Sequence, residues 1–185
     1  MARILITGGA GFIGSNCVQL IINAGHEPVV LDNFSTGSRE NLRCMRSDIE
    51  IHEGNILDRE ALARMVKGMD YCIHLAAIPS VPRSISDPWA TNRANVEGTL
   101  NVFLAARDAA LRRVVFSSSS SVYGCSQALP LHEDLPCAPI SPYGVSKHSG
   151  EQYAGVFSTL YDMDIVCLRY FNVFGPRQDP DSPYA

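Results

Sequence analysis

The chain has 185 residues, 46% of them hydrophobic and 18% charged, with a formal charge of −4 at pH 7. That is the size and make-up of one compact α/β domain able to bury most of its apolar surface. No basic stripe is present, which argues against a nucleic-acid partner, and no apolar run approaches the length of a membrane span.

Arg3 followed by Ile4, Leu5 and Ile6 resembles the start of a secretory leader, but Ser15, Asn16 and Gln19 interrupt the apolar stretch too early. A buried first strand over 3–7 is expected instead, with helical spacing over 11–24. Strands follow over 28–32 and 50–53. A helix over 58–67 is capped by Asp58, and a fourth strand covers 70–74. Residues 89–110 read as one long helix, polar on one face, and 113–117 as the fifth strand. A helix over 142–161 has Ser141 as N-cap and Pro142 at its first position. The sixth strand spans 164–169. These strands are apolar almost throughout, so both sheet faces are expected to be buried. The predicted fold class is α/β: a Rossmann-like, doubly wound parallel sheet with helices on both faces.

The turn after the first strand reads Thr7-Gly8-Gly9-Ala10-Gly11-Phe12-Ile13-Gly14. Counted from Gly9 it fits G-x-G-x-x-G, and from Gly8 it fits G-x-x-G-x-x-G. Glycines there allow a tight turn, and the helix N-terminus behind it attracts a pyrophosphate. Asp32 closes the second strand eighteen residues beyond Gly14. A carboxylate there accepts both hydroxyls of an adenosine ribose and repels a 2′-phosphate, which favours NAD over NADP. The alternative role for Asp32 is to cap the 33–37 turn.

Tyr143 and Lys147 stand at i and i+4 on the last helix and share a face. The chain has only two lysines, Lys67 and Lys147, so this pairing is not a matter of abundance. A phenol with pKa ~10 is a poor base at neutral pH, and lowering it by about three units takes roughly 4 kcal/mol. An ammonium about 4 Å away supplies that order at an effective dielectric near 20, which is sufficient for a general base without a metal. Ser117 to Ser121 run directly off the fifth strand, whose C-terminal end faces the ligand crevice in such sheets. A hydroxyl there can bond a reacting oxygen of a bound ligand. His74 is expected to pack at a strand end, His148 to face solvent, and Arg83 to pair with Asp87. A phosphate contact is the other role open to Arg83. The six cysteines, Cys17, Cys44, Cys72, Cys125, Cys137 and Cys167, are dispersed, with none at C-x-x-C spacing and no His at a zinc-ligand offset. No metal site is expected, and the usage suggests reduced thiols and a cytoplasmic protein.

Taken in order, 7–14, 31–37, His74-Leu75-Ala76-Ala77, Asn95-Val96-Glu97-Gly98-Thr99, 117–124, 143–147 and 169–177 resemble the extended short-chain dehydrogenase/reductases, the NAD-dependent epimerase/dehydratase family. The resemblance covers essentially the whole chain. Within the family, 80–88 and 177–180 are similar to UDP-hexose and UDP-N-acetylhexosamine 4-epimerases. The resemblance implies Ser119, Tyr143 and Lys147 as catalytic residues. It implies a cofactor site of Gly8, Gly11, Phe12, Ile13, Gly14, Asp32, Asn33, Ser35, Thr36, Gly37, Asn55, Ile56, Leu75, Ala76, Ala77, Asn95, Ser117, Tyr143, Lys147 and Tyr170. Asn55 stands where the family commonly has Asp. Ser80, Ser119, Tyr143 and Asn172 are implied as substrate contacts, Asn172 at the diphosphate.

The implied activity is NAD-dependent epimerisation at C4 of a UDP-hexose. Ser120 and Ser121 stand where dehydratases usually carry an acidic pair. The alternatives are a UDP-glucuronate decarboxylase or other sugar-nucleotide dehydratase or reductase and, in another class, a non-catalytic NAD-binding module. The resemblance also implies a homodimer through the helices 89–110 and 142–161. It divides the chain into a NAD-binding domain over 1–175 and the start of a substrate-binding region over 176–185. The rest of that region is expected to be lacking, which makes the chain a fragment.

Overall fold

The computed structural model describes residues 1–45, 47 and 49–180. The expected 176–185 region therefore lies partly outside the described residues. Six strands form one parallel sheet in the order β3-β2-β1-β4-β5-β6. They are β1 (Arg3–Thr7), β2 (Glu27–Asp32), β3 (Glu50–Glu53), β4 (Tyr71–His74), β5 (Arg113–Ser119) and β6 (Ile165–Tyr170). Reversal of the chain between β1 and β4 makes a topological switch point, where the strand ends leave a crevice.

Alternation along the central strands divides the core between two faces. Ile4, Ile6 and Val30 join Val18 and Ile21 of helix α1 (Phe12–Asn23) and Leu42 on one side. Leu5, Val29 and Leu31 join Leu62, Val102, Phe103 and Phe157 on the other. Full burial of each such side chain contributes about 1.5–3 kcal/mol, so a shift of register by one residue would exchange the two faces at large cost. β6 differs: none of its residues is fully buried, and Leu168 is 39% exposed.

Helix starts follow local chemistry. Asp58 caps α2 (Arg59–Met65), its carboxylate accepting from Ala61 N at 2.9 Å. Ser141 caps α6 (Pro142–Tyr161), its hydroxyl accepting from Gly144 N at 3.1 Å, with Pro142 where no amide donor is needed. The expected 89–110 helix is instead α4 (Pro88–Asn92), a π-helical turn (Arg93–Glu97) and α5 (Gly98–Asp108). Three short elements were not expected: α3 (Val81–Ser86) and 3₁₀ turns over Arg39–Met45 and Ser120–Tyr123. Among the described residues no helix is long and apolar enough to cross a membrane.

Candidate active site

The switch-point crevice is a cavity of about 1100 Å³. One wall is the glycine turn. Gly8 has φ +73°, and a Cβ there would lie 2.7 Å from Ala76 N; a Cβ on Gly14 would lie 2.2 Å from Gly8 O. No side chain can be added without forcing β4 or α1 away. Gly11, at the N-cap of α1, offers no side-chain cap, so the first amides of a twelve-residue helix remain available to an anion. The cradle thus fits a dinucleotide pyrophosphate.

Asp32 is 7% exposed at the end of β2. Its Oδ2 accepts from Ala10 N at 2.9 Å and its Oδ1 from Phe34 N at 2.8 Å. The capping role is therefore real, and it coexists with a cavity-lining position, because a carboxylate has about four acceptor sites. Asn33 Oδ1 accepts from the amide and hydroxyl of Ser35, which shapes the rim with Thr36. Asn55 spends its carbonyl on Leu57 N, leaving its NH₂ for a ligand beside Ile56.

Across the crevice, α6 carries Tyr143 and Lys147, and β5 delivers the serines. Ser119 Oγ accepts from Ser121 N at 3.1 Å, so its own proton remains to be donated. Lys147 is 3% exposed, and its ammonium donates to Ser117 O at 2.8 Å. It lies 5.2 Å from the Phe116 ring centre and 5.9 Å from that of Tyr143. Burial lowers its pKa from 10.5 to about 8, so the side chain stays cationic at neutral pH while its charge is poorly solvated.

Behind the wall runs a directional hydrogen-bond chain. Thr99 donates to Asn95 O at 2.6 Å, so His74 Nε2 donates to Thr99 Oγ1 at 3.0 Å. His74 Nδ1 then accepts from Thr7 Oγ1 at 2.7 Å, and Thr7 Oγ1 in turn accepts from Ala76 N. Burial, with the Lys147 charge second, lowers His74 from 6.5 to about 3. His74 is a packing residue, as its strand-end position suggests.

Gly8, Gly11, Phe12, Ile13, Gly14, Asp32, Asn33, Ser35, Thr36, Asn55, Ile56, Leu75, Ala76, Ala77, Ser80, Ser117, Ser119, Tyr143, Lys147, Tyr170 and Asn172 all line this one cavity. Two expected cofactor residues do not. Gly37 packs its Cα against Ala10, where a Cβ would lie 2.8 Å from the carbonyl carbon. Asn95 is 1% exposed. Its Oδ1 accepts from Ile78 N at 2.7 Å, and its NH₂ donates to Ile78 O and Ser146 Oγ, both at 3.1 Å. With its amide so engaged it positions the wall rather than forming it.

Two surface expectations are also corrected. Asp87 caps α4 through Ala90 N, no ion pair joins it to Arg83 among the described residues, and Arg83 lines the cavity. His148 turns inward, with Nδ1 buried 3.8 Å from Glu151. Ser80, at φ 106°, holds a strained backbone at the cavity edge. Trp89, Gln178 and Asp179 line the cavity too. For Trp89 the usable signal is a lone tryptophan at the start of a predicted helix. Gln178 and Asp179 return to the site because Arg177 anchors the chain on α1, through Ser15 Oγ at 3.0 Å and Asn16 Oδ1 at 2.8 Å.

Sheet order, glycine turn and crevice define a doubly wound α/β dinucleotide-binding fold. More narrowly, the chain belongs to the NAD dependent epimerase/dehydratase family, whose model matches residues 4–184. The UDP-glucose 4-epimerase of Mycolicibacterium smegmatis is 42% identical over 182 residues, covering 96% of this chain and 58% of that protein. A UDP-N-acetylglucosamine 4-epimerase from Methanobrevibacter ruminantium, solved with UDP-N-acetylmuramic acid, superposes with TM-score 0.94 at 42% identity, covering 100% of this chain and 59% of that one. A dTDP-glucose 4,6-dehydratase from Streptomyces venezuelae, solved with NAD, gives TM-score 0.93 at 35% identity, covering 97% and 59%. The chain therefore spans less than two thirds of the length of these relatives.

Proposed function

We propose that this chain forms the NAD-binding part of a UDP-hexose 4-epimerase, with 1–175 as the dinucleotide unit and the chain from 176 opening a substrate-binding region. The observation that carries this reading is the convergence of Ser119, Tyr143 and Lys147 on the cavity that holds the glycine turn. In this reading Tyr143 is the general base and Ser119 bonds the 4′-oxygen. Lys147, fixed by Ser117 O, places its charge beside the phenol. Its Nζ lies 5.9 Å from the Tyr143 ring centre, near enough for the charge to favour the phenolate by on the order of a few kcal/mol at an effective dielectric near 20. Bound NAD supplies a reversible hydride acceptor at C4′, so the sugar passes through a 4-keto form and no cofactor is consumed. Asp32 favours NAD over its 2′-phosphorylated form, and Ser80 and Asn172 contact the sugar nucleotide.

Fold similarity extends equally to a dehydratase, but Ser120 and Ser121 bring hydroxyls, not carboxylates, to the cavity. At those two positions no carboxylic acid is present to assist loss of water. Exposed Val145, Val156 and Leu160 on α6 favour a homodimer that uses this helix; sedimentation showing only monomer would contradict it. The test of function is product analysis after the protein expressed from its complete gene meets UDP-glucose, UDP-N-acetylglucosamine and UDP-glucuronate. The 4-epimer of a hexose is the expected product. A pentose product supports decarboxylation instead, and NAD binding with no turnover supports a non-catalytic module.

A further inference from the structure

Beside the cavity, a second group of ligating side chains plays no part in the proposed reaction. Cys137 Sγ, a ring nitrogen of His148 and a Glu151 carboxylate oxygen all lie within 4.8 Å of one another. His148 and Glu151 stand at i and i+3 on α6 and share a face, while Cys137 comes from the segment that leads into that helix. His148 Nδ1 is the one buried side-chain nitrogen or oxygen without a hydrogen-bond partner among the described residues. Its 3.8 Å separation from Glu151 Oε2 is too long for a hydrogen bond. Leaving such an atom buried and unmatched costs about 1–3 kcal/mol.

We propose that Cys137, His148 and Glu151 form a binding site for a borderline-soft divalent cation of the Zn²⁺ class, which fastens the 124–141 segment to α6. Thiolate, imidazole and carboxylate are the three donor types Zn²⁺ takes, and bond lengths of about 2.0–2.3 Å put tetrahedral ligand atoms about 3.3–3.6 Å apart. The cluster therefore needs to contract by about 1 Å. A supporting layer is already built. Arg169 donates to both oxygens of Glu151 at 2.9 Å and to Cys137 Sγ at 3.2 Å, and Ser118 donates to Glu151 as well. Such partners orient ligands without exhausting them: Glu151 Oε2 and the sulfur each keep a lone pair, and His148 Nδ1 keeps its own. Arg169 also sets the electrostatic limit. The cation adds two positive charges and the thiol loses one proton, so the site gains a single net charge. The sequence hides this group because its ligands come from a loop and a helix, outside any C-x-x-C or H-x₃-H spacing.

The test is equilibrium dialysis against Zn²⁺, with Co²⁺ as the spectroscopic probe. One Zn²⁺ per chain is expected at micromolar free metal, together with a thiolate charge-transfer band in the Co²⁺ form. Cys137→Ser abolishes the band, and Cys137→Ser and His148→Ala each weaken Zn²⁺ binding at least about tenfold. Cys44→Ser and Cys125→Ser, at exposed thiols, leave both readouts unchanged. His148 is partly exposed, so its replacement is expected to leave the fold intact, which far-UV circular dichroism checks. His148→Gln serves as a second variant at that position. No stoichiometric binding, or equal affinity in the wild-type, Cys137→Ser and His148→Ala proteins, overturns the proposal.

Discussion

The two walls of the cavity are built in opposite ways. On the glycine-turn side the backbone defines the site: Gly8 and Gly14 lie so close to Ala76 N and Gly8 O that a Cβ has no room. On the α6 side the backbone is ordinary and side chains define the site: a buried lysine held by Ser117 O, a tyrosine, and a serine pinned by an amide. The first wall is expected to be sensitive to volume and indifferent to chemistry. The second is expected to respond the other way, so conservative substitutions on each side separate binding from turnover.

The sharpest break is Tyr143→Phe, which removes one oxygen and almost no volume. Turnover is expected to fall about 10³-fold, within the range for a lost general base, while NAD affinity stays within about threefold as measured by calorimetry. Retained turnover would remove Tyr143 as the base and leave the side-chain wall without its main member.

Lys147 comes next. Its folded pKa of about 8 lies below the ordinary 10.5, so between those values the unfolded chain binds more protons. Stability is therefore expected to rise with pH across that window, by about 1.4 kcal/mol per unit and about 3 kcal/mol in all. It is lost again as pH falls toward 8. Denaturant titrations of wild type and Lys147→Met at pH 8 and pH 10 check this. The variant should lack the rise, and an equal slope in both would show that the ammonium is better solvated than its position implies.

On the opposite wall, Gly14→Ala is expected to cost about 2 kcal/mol of stability, the scale of forced overpacking. It should also weaken NAD binding by about 30-fold or more, since opening the turn moves the α1 amides away from the pyrophosphate. Near-wild-type NAD affinity would show that the turn yields more easily than a 2.2 Å approach allows.

This contrast also explains what could be read in advance. Strands such as Ile4–Ile6 and Val29–Leu31 were legible because burial on two faces leaves a continuous apolar run. Helix starts at Asp58 and Ser141 were legible because a cap is local chemistry. The glycine turn and the Tyr143/Lys147 offset were legible for the same reason. The π-helical turn at Arg93–Glu97 was not, because its geometry is tied to Asn95, which hydrogen-bonds Ile78 and Ser146 far along the chain. Gly37 packs its Cα against Ala10, a contact that spacing does not reveal, and His148, expected in solvent, is turned by the fold toward Glu151. In each case the deciding partner lies on another element, beyond the reach of spacing.

The smallest effect lies where the two walls are joined. His74 links Thr7, at the base of the glycine turn, to Thr99 and through it to Asn95, which holds Ser146 on α6. Its folded pKa of about 3 lies below 6.5, so stability is full above pH 6.5 and falls as the unfolded chain takes up a proton. Between pH 7 and 5.5 the loss from this group is expected to be about 1 kcal/mol. His74→Asn, which keeps a donor and an acceptor but cannot titrate, should show a correspondingly flatter profile by chemical denaturation. The Lys147 charge is the second cause of the depression after burial. Lys147→Met should therefore raise the His74 midpoint and soften the acid loss near that midpoint, well below pH 5.5, whereas Gly14→Ala should leave the slope there unchanged. If both variants altered it equally, His74 would be responding to general loosening of the sheet, and the separation of the two walls would fail at the residue that connects them.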